Sequence, residues 1–112
     1  SVSVDLQNLF QSMIAFIHKN FDRKITAAQI ADAAHISERE AVRIFQKNIG
    51  MSPVAYLLSY RLNESLKLLS GTEMNITEIS YACGFSESAY FGKLFKKQYG
   101  MTPGEYRQRH RL

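Results

Sequence analysis

Side chains that can bond to other molecules recur at spacings of three and four along one stretch of the chain: Arg39, Val42, Arg43 and Gln46. These spacings place side chains on one face of an α-helix. An arginine can donate two hydrogen bonds to O6 and N7 of guanine, and a valine can contact the methyl group of thymine. We therefore predict that this stripe reads base edges, with Arg39 and Arg43 as its main readers.

A second stretch, fifty residues later, has similar spacing and smaller side chains: Ser88, Ala89, Gly92 and Lys93. Lys93 alone among them is long enough to make a strong contact with a base. We predict that Ser88, Ala89 and Lys93 face the groove of a duplex. This second stripe would add affinity and a narrower sequence preference.

Residues flanking the two stripes are candidates for contacts with the DNA backbone, which position a protein without reading sequence. We predict phosphate contacts from Ser37, Lys47, Tyr56, Arg61, Ser86, Lys96, Lys97, Thr102 and Arg107. For Arg61 the alternative is an ion pair with Glu64 or Glu105, and for Tyr56 it is a core position with a satisfied hydroxyl. Neutralising about six phosphates would give log K a slope near −5 against log salt.

Two carboxylates, Glu38 and Glu40, stand beside the first stripe, where they would repel phosphates. Negative charge is favourable in the first turn of a helix, and Ser37 with Glu40 fits a capping box. We therefore predict a capping role for both. For Glu38, a contact with a cytosine amino group is the open alternative.

The elements that would position these residues are helices, because apolar residues recur at three and four and no run alternates with period two. Helix-start signals occur at Thr26 with Gln29, Ser37 with Glu40, Asn75 with Glu78, Ser52-Pro53 and Thr102-Pro103. The pattern predicts an all-α fold of seven helices, at about 4–20, 26–34, 37–48, 53–70, 76–83, 86–98 and 103–110.

The chain also contains an internal repeat. At a shift of 50 residues, Phe, Lys, Gly, Met, Pro and Tyr recur in register between segments 45–56 and 95–106, and further upstream the shift becomes 49. Each copy reads as a short helix, a tight turn and a second helix, which is the helix-turn-helix layout. Gly84 suits a turn with positive φ, and His35 occupies the same place in the first copy.

Composition narrows the function classes. The 112 residues have a formal net charge of +4, and the last twenty contain six basic residues and one acidic residue, which favours a polyanionic partner. No apolar run is long enough to span a membrane, so we expect no membrane partner. The single Cys83 cannot form an internal disulfide, so we expect a cytoplasmic location. The three histidines, the single Cys83 and the carboxylates lack metal-ligand spacing, and no nucleophile motif is present. We expect no cofactor, no metal and no enzymatic activity.

The chain resembles the C-terminal DNA-binding domain of the AraC/XylS family of bacterial transcription regulators, most clearly in its second copy. The resemblance rests on the run 76–86, Tyr90-Phe91, Phe95-Lys96-Lys97, the run 100–103 and Tyr106-Arg107, and extends over residues 10–109. It implies transcription regulation through DNA, with activation by contact with RNA polymerase, and an effector or dimerisation domain upstream of Ser1. It also implies groove positions for Arg39, Val42, Arg43, Ala89 and Lys93. His35 and Gln46 depart from the residues common in the family.

The expected architecture is homeodomain-like: a helix-turn-helix subdomain at 1–52, a linker helix at 53–70 and a second subdomain at 71–112. A linker helix of 18 residues is about 27 Å long, which suits two recognition helices about one DNA turn apart. Because the halves differ in sequence, the double-stranded site should be asymmetric. The alternative is an all-α protein-interaction module without DNA specificity, which would not need an exposed Arg39 and Arg43.

Overall fold

The computed structural model describes the backbone of residues 2–111 and the side chains of residues 5–111. Over this range every regular secondary-structure element is an α-helix and no strand is present, which confirms the predicted all-α fold class. The helices are α1 (Val2–Asn20), α2 (Ala27–Asp32), α3 (Glu38–Ile49), α4 (Pro53–Gly71), α5 (Ile76–Ala82), α6 (Ser88–Tyr99) and α7 (Pro103–His110). Within the same residues, no helix combines the length and apolar character that a membrane crossing requires.

The chain divides into two compact units, residues 1–58 and residues 59–112. The division falls inside α4, between Leu58 and Ser59, so each unit contains part of that helix. The predicted linker helix at 53–70 corresponds to α4, and its role as a separate linker stays a prediction. Each unit can therefore be described as one helix-turn-helix with its supporting helices.

The first unit has a core built from one face of each of its helices. Phe10 of α1 meets Phe45 of α3 edge to face, with 5.0 Å between ring centroids. Full burial of side chains of this size contributes about 1.5–3 kcal/mol each. The remaining core residues are Met13, Ile17, Ile30, Ala31, Ala34, Ala41, Ile44 and Leu57.

The second unit has a core dominated by phenylalanines. Phe91 lies 5.2 Å from Phe85 and 5.7 Å from Phe95 between ring centroids, and Phe91 and Phe95 are completely buried. Two buried hydroxyls are satisfied within their own helices, because Ser65 donates to the Leu62 carbonyl and Ser80 to the Thr77 carbonyl. The small Ser80 occupies the place that Ala31 has in the first unit, and both are buried, as a close helix crossing requires.

Most helix starts follow the predicted capping chemistry. Complete capping boxes form between Thr26 and Gln29, between Asn75 and Glu78, and between Thr102 and Glu105. At α4, the Ala55 N–H donates to the Ser52 hydroxyl. These bonds satisfy amide groups that a helix start leaves without partners, which is why the sequence signals locate these starts well.

The turn between the two helices of each motif is closed by the same hydrogen bond. The Ile36 N–H donates to the Ala31 carbonyl at 3.2 Å, and the Phe85 N–H donates to the Ser80 carbonyl at 3.0 Å. A bond that returns five residues requires a left-handed residue in the turn. His35 supplies it with φ of 59° and Gly84 with φ of 95°, which confirms the prediction for this pair.

The structure also locates the one-residue difference between the copies. The turn bonds are related by a shift of 49, whereas the helices that follow, α3 and α6, begin at Glu38 and Ser88, a shift of 50. The extra residue therefore lies between Phe85 and Ser88. The predicted start of the sixth helix at residue 86 is wrong, because Ser86 belongs to this longer turn.

His35 provides a test of the turn geometry. A non-glycine residue in the left-handed region costs about 1–2 kcal/mol, and glycine in exchange loses about 0.5–1 kcal/mol of chain entropy on folding. His35→Gly should therefore raise the free energy of unfolding by up to about 1 kcal/mol, measured by urea denaturation. Gly84→Ala is the opposite change in the second copy and should lower it. A loss of stability in His35→Gly would contradict this account.

Candidate nucleic-acid interface

The outer face of α3 carries the first predicted stripe. Its side chains Arg39, Val42, Arg43 and Gln46 are exposed, whereas Ala41, Ile44 and Phe45 on the opposite face are buried. An apolar side chain with 40% exposure, as at Val42, is well placed for contact with a thymine methyl. The predicted stripe therefore lies on the exposed face of α3, and base reading stays a prediction.

One acidic residue beside this stripe behaves differently from the prediction. The Ser37 hydroxyl accepts a hydrogen bond from the Glu40 N–H at 3.2 Å, as expected for a cap. The Glu40 carboxylate does not complete the box and instead accepts a hydrogen bond from Arg43 Nη2 at 2.8 Å. The sequence argument missed this ion pair, although the spacing of three residues between Glu40 and Arg43 was a signal for it.

The outer face of α6 has smaller side chains and carries less charge than that of α3. Ala89 and Lys93 are exposed, Ser88 and Gly92 are half-buried, and Phe91 and Phe95 point into the core. Tyr90 is 47% exposed and was missed as a candidate. The sequence shift of 50 makes it the equivalent, in the second copy, of Glu40 in α3. Its ring meets Phe85 edge to face at 6.4 Å between centroids, which fixes the ring and leaves the hydroxyl end outward.

The start of α6 is unlike the other capped starts. Glu87 stands at the cap position and its side chain makes no capping hydrogen bond. Ser86, the predicted phosphate contact, lies exposed in the turn just before it. The first amides of α6 therefore receive no capping bond from Glu87.

Three of the predicted phosphate contacts are exposed lysines near helix ends. Lys47 lies in the last turn of α3, and Lys96 and Lys97 lie in the last turn of α6. Positive charge there complements the negative end of the helix dipole. Lysines at these positions therefore stabilise their own helices and also present a positive charge at the surface. Their ammonium groups remain predicted partners for phosphate.

Arg61 lies in the interior, where it is only 8% exposed. Its guanidinium carbon is 5.9 Å from the centroid of the Phe85 ring, within reach of a cation–π interaction. This burial withdraws the charge from the surface on which a phosphate would bind. We therefore leave Arg61 out of the proposed interface.

Arg107 is engaged with backbone carbonyls at the end of α4. Its Nε donates to the Leu69 carbonyl at 2.9 Å, and its Nη2 lies 3.4 Å from the Leu68 carbonyl and 3.3 Å from that of Thr72. The last carbonyls of a helix have no partners within the helix, so an arginine fork suits them. Arg107 fastens α7 to α4, and it too is left out of the interface.

Two further candidates are occupied by contacts within their own unit. The Tyr56 hydroxyl lies 2.6 Å from His18 Nε2, and its ring packs beside Phe45. Thr102 caps α7, and its N–H donates to the Glu105 carboxylate, which holds the pKa of that carboxyl below its usual value. A phosphate at the start of α7 would meet this charged carboxylate. The side chains of Tyr56 and Thr102 are therefore already bonded within their own units.

Cys83 is 1% exposed and lies among the buried residues of the second unit. Burial raises the pKa of its thiol to about 11, so at neutral pH the reactive thiolate form is scarce. Among the described residues, no three histidine, cysteine, aspartate or glutamate side chains are grouped to hold a metal ion.

The fold defines a protein with two helix-turn-helix motifs, and comparisons with known proteins agree. A helix-turn-helix domain family model matches residues 30–109. The lactose operon transcription activator of Staphylococcus xylosus is 33% identical over 108 residues, 96% of this chain and 39% of the relative. A probable AraC family transcriptional regulator from Rhodopseudomonas palustris has 31% identity and a TM-score of 0.83, covering 94% of this chain and 99% of that one.

The chain belongs to the AraC/XylS family of helix-turn-helix DNA-binding domains, a family of transcription regulators and not of enzymes. The fold also matches the DNA-binding domain of AdpA, a global transcriptional factor solved with a target DNA. That match has 23% identity and a TM-score of 0.85, and it covers 89% of this chain and 90% of that one. The chain spans only 28 to 39% of the length of the first curated relatives.

Substitutions can test whether Arg107 stabilises the fold and whether the exposed lysines do not. Arg107→Ala should lower the free energy of unfolding by about 1–3 kcal/mol, because it leaves carbonyls of α4 without their charged donor. Lys97→Ala, an exposed control on α6, should stay within about 0.5 kcal/mol of the parent. Urea denaturation followed by circular dichroism gives both values. An unchanged midpoint for Arg107→Ala would contradict the fastening role.

Proposed function

We propose that this chain is the sequence-specific, double-stranded-DNA-binding part of a bacterial transcription regulator. In this proposal α3 and α6 are recognition helices that enter successive major grooves. The observation that carries it is the pair of helix-turn-helix motifs, each presenting an exposed helix face behind a tight turn of the same construction. Family membership and the DNA complex of a protein with the same fold support it.

The two recognition helices differ in the number of side chains that can contact bases. Arg39, Arg43 and Gln46 on α3 can donate or accept at base edges, and Val42 can contact a thymine methyl. On α6, Ser88, Ala89 and Lys93 offer one long donor among short side chains. The first half-site should therefore be the more informative, and the whole site asymmetric.

Backbone contacts come from groups that the structure leaves at the surface. These are Lys47, Lys96 and Lys97, together with Ser37 and Ser86 near the starts of α3 and α6. Five contacts of this kind fix register on the duplex without reading sequence. Tyr56 and Thr102 are secondary candidates because each is half-buried as well as bonded within its unit, whereas Ser37 is exposed.

The proposal extends to the longer protein in outline only. Because the chain spans about a third of its curated relatives, we propose that an effector-binding or dimerisation domain completes the regulator. The lactose relative is an operon activator, which supports activation, with RNA polymerase as a protein partner. The protein would act in the bacterial cytoplasm, bound to the nucleoid.

The direct test selects duplexes from a random library with this chain and sequences the bound fraction. We expect two unlike half-sites about 10 bp apart, since that is one turn of the duplex. Arg43→Ala should weaken binding to the selected site by about 1–3 kcal/mol and relax one base position. A strictly palindromic minimal site occupied by two chains would contradict the tandem mechanism, and no enrichment would favour the protein-interaction module.

Salt dependence tests the phosphate contacts separately. Neutralisation of about three phosphates by Lys47, Lys96 and Lys97 would give log K a slope near −3 against log salt. Lys97→Ala should weaken binding to all sequences alike and flatten this slope by about 1. Fluorescence anisotropy at four salt concentrations measures both. A slope near −1 for the parent chain would mean that these lysines do not follow the DNA backbone.

A further inference from the structure

The ion pair between Glu40 and Arg43 lies on the recognition helix that carries most of the predicted base contacts. Glu40 Oε2 and Arg43 Nη2 are 2.8 Å apart, and their side chains are 46% and 66% exposed. An exposed pair of this kind contributes little to folding. Because this ion pair contributes little to stability and lies on the proposed binding surface, we look for its role in how it orients the Arg43 side chain.

The pair forms at the expense of a capping bond that the same sequence pattern makes elsewhere. At Thr26, Asn75 and Thr102, the side chain three residues later accepts a hydrogen bond from the cap N–H at 2.9 to 3.1 Å. Ser37 and Glu40 have the spacing and residue types for the same bond. The Glu40 carboxylate is turned to Arg43 instead. Local geometry therefore permits two positions for Glu40, and this helix adopts the one that orients the arginine.

The geometry of the guanidinium leaves Arg43 able to bind DNA while it is paired. A guanidinium has five N–H donors in one plane, and the bond to Glu40 uses one of the two on Nη2. The remaining donors are sufficient for the two parallel bonds to O6 and N7 of guanine. With 66% of the side chain exposed, these donors are accessible from solvent.

We propose that Glu40 is a positioning and specificity-determining residue, which holds Arg43 for a guanine and disfavours its use on phosphate. The inference rests on the proposed function and adds a residue to it. A phosphate that approaches Arg43 also approaches the Glu40 carboxylate, and like charges repel. A guanine edge carries no net charge, so it can share the guanidinium with Glu40. Glu40 thus weakens nonspecific binding more than specific binding.

The test compares Glu40→Gln with the parent chain on the selected site and on a random duplex at one salt concentration. Glutamine keeps the shape and can cap, as Gln29 does at Thr26, so α3 should remain folded by circular dichroism. We expect affinity for random duplex to rise about 3- to 10-fold and affinity for the selected site to change less than about 3-fold. The ratio of the two should fall by several-fold. Preference for guanine should fall at the base that Arg43→Ala relaxes.

Glu38→Gln is the matched control, because it removes the same charge from the same turn and Glu38 forms none of the ion pairs found among the described residues. It should raise both affinities alike and leave the guanine preference at the Arg43 position unchanged. In an Arg43→Ala background, Glu40→Gln should no longer alter any base preference. This second comparison separates positioning of Arg43 from a general effect of charge.

The outcomes distinguish the inference from the proposed function. If Glu40→Gln and Glu38→Gln change the affinity ratio equally, or if the Glu40 effect persists without Arg43, the inference is overturned and DNA binding stands. If Arg43→Ala leaves every base preference intact, Arg43 is not a reader and the inference also fails. If the parent chain enriches no sequence at all, the proposed function itself fails.

Discussion

The turn that joins the two helices of each motif is the constraint on which the rest of the structure depends. A single hydrogen bond, from Ile36 to Ala31 or from Phe85 to Ser80, closes it, and a left-handed residue makes that bond possible. The turn sets the angle at which α3 leaves α2 and α6 leaves α5. Only at a fixed angle can one face of the second helix enter the core while the other stays at the surface. Any recognition by α3 or α6 therefore begins with this backbone geometry.

The two units share this framework and differ on their outer faces. Both units keep a buried phenylalanine at the equivalent positions Phe45 and Phe95 and a left-handed turn residue. The outer face of α3 carries two arginines, whereas that of α6 carries small residues and one lysine. The extra residue before Ser88 also leaves α6 without the side-chain cap that Ser37 gives α3. Since a core tolerates few changes and a surface many, sequence differences accumulate where a ligand would be read.

Basic residues serve two different purposes in this chain. Arg61 and Arg107 point inward, where a planar guanidinium can stack on a ring or bridge several carbonyls. The exposed lysines at the ends of α3 and α6 are strongly hydrated point charges, which suit phosphate at a surface better than an interior. Net charge alone does not separate these uses, because it counts a buried arginine and an exposed lysine alike.

The sequence by itself determined the elements: seven helices, most of their capped starts and the left-handed turn residues, because these depend on local spacing and backbone chemistry. It also determined which face of α3 stays exposed, since periodicity separates Arg39 and Val42 from Ile44 and Phe45. Only the tertiary structure decided that Arg61 is buried and that Arg107 caps α4, because their partners lie far along the chain. The structure also shows which of two local partners Glu40 binds, because the sequence pattern fits both the cap and Arg43.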